Sequence, residues 1–148
     1  MFRFSTGEWL EANNIQHRHY HHVYPDALLK EAEINSFLAL NCTLISDKTN
    51  MVLGRKDPPE YLRDRYQWTS EALVKERLQS HLIPIPELAN GGYEGLSDAE
   101  KKEKLGTDFE RFLLQRAAFV MKAARLLSEG HQLSASIMFN EKQTAELV

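Results

Sequence analysis

The hydrophobic pattern of the chain starts helical, turns β-like over two short runs, and is helical again from about residue 48. Ser5 followed by Glu8 fits a capping box and predicts a short helix from about Thr6 to Asn13. Ile15–Tyr24 mixes aromatic, β-branched and histidine residues with a period-two hint and is closed by Pro25, which predicts a strand. A short helical turn fits Ala27–Glu33. Leu40–Ile45 (LNCTLI) is a second compact strand candidate, ended by the cap-like pair Ser46-Asp47. Lys48–Leu53 then reads as a helix stopped by Gly54.

Asp57-Pro58-Pro59-Glu60 is a strong start signal, with a capping Asp, Pro at the first helical position and Glu three residues on. The helix it opens should run to about Gln67, and another should span Ser70–Ser80. Ile85–Thr107 holds Pro86, Gly91, Gly92, Gly95, Gly106 and the charged run Asp98–Lys104, and reads as a long surface excursion. The clearest helix is expected from Thr107 to about Glu129, with Thr107 and Glu110 as its capping box. Its wheel places Phe109, Leu113, Ala117, Val120, Ala124 and Leu127 on one face and Arg111, Lys122 and Arg125 on the other. Arg116 falls near the apolar edge, where an arginine snorkels outward or is buried against a carboxylate. The expected fold class is α+β, a small two-stranded hairpin embedded in a mainly helical scaffold, as a single domain over residues 1–148.

Composition narrows the classes. The chain has 148 residues, 43% of them hydrophobic, enough for one domain with its own core. It has 18 Lys/Arg against 21 Asp/Glu, a net charge of −3, so contact with nucleic acid has to use a local patch. There is no apolar run long enough to span a bilayer, and the N-terminus does not read as a secretory signal, so no membrane partner and a cytoplasmic location are expected. The lone Cys42 excludes internal disulfides and paired-cysteine zinc knuckles. Within its expected strand Cys42 reads as inert, while Trp9, Tyr61, Tyr66 and Trp68 read as core or hairpin-covering residues.

Histidines carry the candidate chemistry. His17, His19, His21 and His22 crowd six positions. Hydrolysis of a phosphodiester with one metal needs a neutral imidazole to take a proton from water, a cation on the phosphate and leaving oxygen, and a group that fixes them in place. A His pair at a strand end, followed by a turn and a helix bearing Asn, supplies these. Two other readings stand beside it. The histidines can be an exposed polar edge strand, or His17, His19 and His21, which share a strand face, can form a three-His metal stripe.

The segment HHVYPDALLKEAEINSFLALNCTLISDKTNMVLGRKDPPEYL resembles the HNH, or ββα-metal, nuclease motif, and is especially similar to the form at the C-terminal end of GmrSD-type restriction proteins. Members read (D/H)H-apolar-x-P, then an asparagine entering a short Leu-rich strand, then Asn on the finger helix. The matching residues here are His21, His22, Pro25, Asn41 and Asn50. The GRKDPPEYL stretch and the late helix FERFLLQRAAFVMKAARLL are similar to the same relatives, so the resemblance covers roughly residues 15–127.

The resemblance implies a ββα-metal finger with His22 as general base, His21 and Asn50 as metal ligands, and Asn41 bracing the loop to orient His22. Lys48, Arg55 and Lys56 would meet DNA phosphates. Gly54 stands one helical turn after Asn50, where the pattern has its last His. Asp47 is close enough to be a substitute ligand. The implied activity is metal-dependent cleavage of DNA in restriction or anti-phage defence. One divalent cation would serve it, Mg²⁺ first, with Mn²⁺, Ni²⁺ or Zn²⁺ able to occupy the site. This chain would then be a separate small nuclease or an excised C-terminal domain, with the NTPase-like N-terminal domain of such proteins as a partner domain or subunit. The alternatives are a catalytically silent HNH-like nucleic-acid-binding module and a His-rich metal-binding protein.

Overall fold

The computed structural model describes residues 18–46 and 56–139. The expected helices at Thr6–Asn13 and Lys48–Leu53 lie outside the described residues. Strand β1 (Arg18–His22) pairs antiparallel with β2 (Cys42–Ser46), and the register sets His21 opposite Thr43 and His22 opposite Cys42. Helix α1 (Asp26–Glu31) and a 3₁₀ turn (Ala39–Asn41) lie between the strands. Helices α2 (Pro58–Trp68), α3 (Glu71–Ser80), α4 (Ile85–Leu88), α5 (Asp98–Ser128) and α6 (Ala135–Phe139) follow. The fold is α+β, mostly helical with one two-stranded antiparallel hairpin among the described residues. None of the described helices is long and apolar enough to cross a membrane.

Helix α2 begins where the start signal put it, with the Asp57 carboxylate accepting the Glu60 N–H at 2.8 Å. Helix α5 corrects the expected excursion. It starts nine residues before Thr107, and its capping box is Ser97 with Glu100, both halves being formed. The charged run Asp98–Lys104 is thus the polar first turns of a helix of about 46 Å. Gly106 is inside that helix rather than in a linker. Pro84 and Pro86 flank the start of α4, where a missing N–H is harmless.

Period-two geometry divides the hairpin. Thr43 and Ile45 are buried on the face that also carries His21, and Tyr20 is exposed on the opposite face, which carries His22 and Cys42. Cys42 is only half-buried. The core stacks Tyr24 against Phe109 and Phe112 of α5, with ring centroids 5.3 and 5.2 Å apart, and adds Leu29, Tyr61, Leu78, Ile83, Leu88 and Leu105.

The buried stripe of α5 is Leu105, Phe109, Phe112, Arg116 and Ala123. It is rotated from the expected one, because the helix outruns the core and leaves Val120 and Leu127 exposed. Trp68, expected to cover the core or hairpin, is 70% exposed at the end of α2. Arg116 takes neither expected course. It is buried, and its guanidinium donates to backbone carbonyls, to Leu40 O at 2.7 Å and, more weakly, to His81 O at 3.4 Å.

Candidate active site at the strand end

β1 ends at His22, and the two residues that follow are held on nearly every polar atom. Val23 N–H donates to Asn41 O at 2.7 Å, and Val23 O accepts the Tyr61 hydroxyl at 3.2 Å. Tyr24 N–H donates to the Asn41 side-chain oxygen at 2.8 Å. The Asn41 amide nitrogen returns two bonds, to Tyr24 O and Ser36 O, each 3.1 Å. Asn41 is fully buried, so both of its side-chain donors and its acceptor are spent on the loop. Its chemistry here is positional: it clamps the backbone beside His22 and joins the 3₁₀ turn to the end of β1. The Tyr24 hydroxyl extends the clamp to Glu87 O at 2.9 Å. Burial, reinforced by the Asp108 charge, drives that phenol's pKa far up, so it stays a neutral donor.

His21 and His22, adjacent in β1, leave the strand on opposite faces, and both are half-buried. The His22 ring meets Phe37 edge-on, with centroids 5.3 Å apart. On the His21 face, Thr43 Oγ1 and His81 Nδ1 share a buried hydrogen bond of 3.0 Å. His81 thereby ties β2 to the end of α3, a contact between residues 38 apart that no local pattern signals.

Asp26, at the start of α1, closes the other side of the loop. It pairs with Lys30 at 2.6 Å and accepts the Ser36 hydroxyl. The Lys30 bond, then the Ser36 bond, hold its carboxyl below the ordinary range, with a smaller contribution from the His22 charge. A lowered carboxyl stabilises the fold above its unfolded value, and that contribution is lost as pH falls through the lower folded one. Asp26→Asn should therefore flatten the acid limb of a stability profile below pH ~4. An unaltered limb in urea titrations would show that Asp26 plays no part in it.

The other site residues of the sequence reading divide by location. Asn50, Asp47, Lys48, Arg55 and His17 lie outside the described residues. Lys56 is ion-paired with Asp64 of α2. Lys122 donates to Met138 O at 2.9 Å, and Arg125 stands 4.0 Å from Glu129. Among the described residues no three His, Cys, Asp or Glu side chains converge as a metal cage. His21 brings one imidazole to the strand end, and its expected co-ligand Asn50 is among the residues not described. No protein family, curated protein or solved structure matches the chain.

Proposed function

We propose that this protein is a metal-dependent DNA endonuclease whose hairpin is the strand pair of a ββα-metal finger. The observation that carries the reading is the pair of adjacent imidazoles at the end of β1, followed by a backbone that buried Asn41 and Tyr61 clamp on both sides. General-base catalysis needs an imidazole held to within a fraction of an ångström, and such a clamp limits how far His22 can drift.

In this reading His22, as neutral imidazole, takes the proton from the attacking water. His21, with Asn50, holds a divalent cation, Mg²⁺ first, and when bound that cation supplies positive charge to the scissile phosphate and leaving oxygen. Asn41 acts through the backbone, as a positioning residue. A restriction or anti-phage role, a cytoplasmic setting and an NTPase-like partner belong to the same reading. The test is incubation of supercoiled plasmid with the protein and Mg²⁺ or Mn²⁺, with and without EDTA. Conversion to nicked or linear DNA that EDTA blocks is expected. Intact plasmid across both metals rejects the reading.

A further inference from the structure

The corner between α2 and α3 carries cationic and aromatic groups that the strand-end chemistry does not use. Arg65 of α2 is half-buried, and its Nη2 is buried with no hydrogen-bond partner among the described residues. Burial pulls the guanidinium below its ordinary range, and the like charge of Arg77 on α3 adds to this against the opposing pull of Asp64. Asp64 is shared, since Lys56 already pairs with it. Lys56 and Arg65 thus share one carboxylate, and Arg77 adds its like charge beside Arg65. A guanidinium held in this way gains from an added anion, because a phosphate oxygen would satisfy the orphaned N–H and offset the repulsion. Beside it stands Trp68, 70% exposed, with the Arg65 guanidinium carbon 5.6 Å from its ring centroid.

We propose that Arg65, Arg77 and Trp68 form a binding site for an unpaired stretch of nucleic-acid strand, with a phosphate on the arginines and a base stacked on the indole. An acidic peptide would satisfy the arginines but leave the flat, open indole unused, whereas every base offers it a π-face. An unpaired strand is favoured over duplex because bases inside a duplex are already stacked. Trp68 lies seven residues after Tyr61 on α2, about 10 Å along the axis, and Tyr61 bonds the residue that follows His22. The proposal rests on the nuclease reading for its biological use, and its physical test does not.

The full-length chain carrying His22→Ala is titrated with a short oligothymidylate while tryptophan fluorescence is followed. Saturable quenching is expected, and Trp68→Phe, which leaves Trp9 in place, should remove most of it. Trp68→Ala should weaken binding about tenfold. Arg65→Gln should reduce the slope of log affinity against log salt by about 0.7, and Arg65→Lys should retain it. Matched far-UV circular dichroism shows that each variant is folded. Unchanged affinity in both Trp68→Ala and Arg65→Gln overturns the site. So does equal quenching by inorganic phosphate, which would make it an anion site alone, or equally tight binding of poly-glutamate. Wild-type protein that binds the oligonucleotide in this way yet leaves plasmid intact sinks the nuclease reading and supports the strand site.

Discussion

His22→Ala should lower plasmid cleavage by about 10²–10⁴-fold while leaving metal affinity near wild type, because in the proposed nuclease it deletes the proton acceptor and no ligand. His21→Ala should weaken metal binding instead, and raising the metal concentration should restore part of its activity. Excess metal supplies no imidazole, so His22→Ala should not recover. The two residues leave β1 on opposite faces, so their side chains meet different surroundings and the mutants are separable. Activity should rise with pH through the histidine range, since a base must be neutral and a ligand must be unprotonated. That profile alone does not distinguish the two, whereas metal rescue does. Metal titrations of both variants, with folding checked by circular dichroism, make the comparison. Normal cleavage by folded His22→Ala would remove the general-base assignment and put the proton acceptor elsewhere in the chain.

Asn41→Ala should cost about 3–5 kcal/mol of stability, among the largest losses any single substitution here should produce. The change strands Tyr24 N and Tyr24 O in a buried place and leaves Ser36 O with the Leu38 N–H alone, and each unsatisfied group costs about 1–3 kcal/mol before relaxation or entering water recovers some of it. Asn41→Asp is the sharper probe because it keeps the shape. Its carboxyl would face two carbonyl oxygens, Tyr24 O and Ser36 O, with which only a protonated acid can make a hydrogen bond. Its folded pKa should therefore lie above the unfolded value of about 3.9. A raised carboxyl is least costly to the fold below the unfolded value, and the cost grows as pH rises through the folded one. Asn41→Asp should thus be nearer wild type at pH 4 than at pH 7 in urea unfolding. A loss independent of pH would contradict the observed donor arrangement.

How much of this was legible depends on how local each cause is. Asp57-Pro58-Pro59-Glu60 marks a helix start through bonds made within four residues, and α2 begins there. The hairpin strands came through to within a few residues because alternation is also local, although Leu40, expected in the second strand, lies before it. Ser97-Asp98-Ala99-Glu100 is equally local, but its charges and the nearby glycines read as a loop. The capping pair was the better signal, as Gly106 costs a helix only about 1 kcal/mol, which the burial of Leu105 and Phe109 outweighs. The wheel marks Arg116 at the apolar edge, but neither its partners nor those of His81 leave a local trace. Their bonds to Thr43, Leu40 and each other's segment exist only once distant parts of the chain meet. Asn41 was singled out by resemblance, and its three side-chain bonds come from the structure.

Arg116 also bears on the order in which the chain can assemble. Its guanidinium bridges the turn before β2, 76 residues upstream, and the end of α3, 35 residues upstream. The Tyr24 anchor at Glu87 O spans 63 residues. Closing such loops costs entropy before any contact repays it, so the hairpin gains this bridge only when the long helix α5 arrives. A nascent chain halted before Arg116 would carry both strands and every histidine of the cluster without this bridge. The strand end and the helix more than seventy residues away should open and close as one cooperative unit, which ties the shape of the strand end to the arrival of α5.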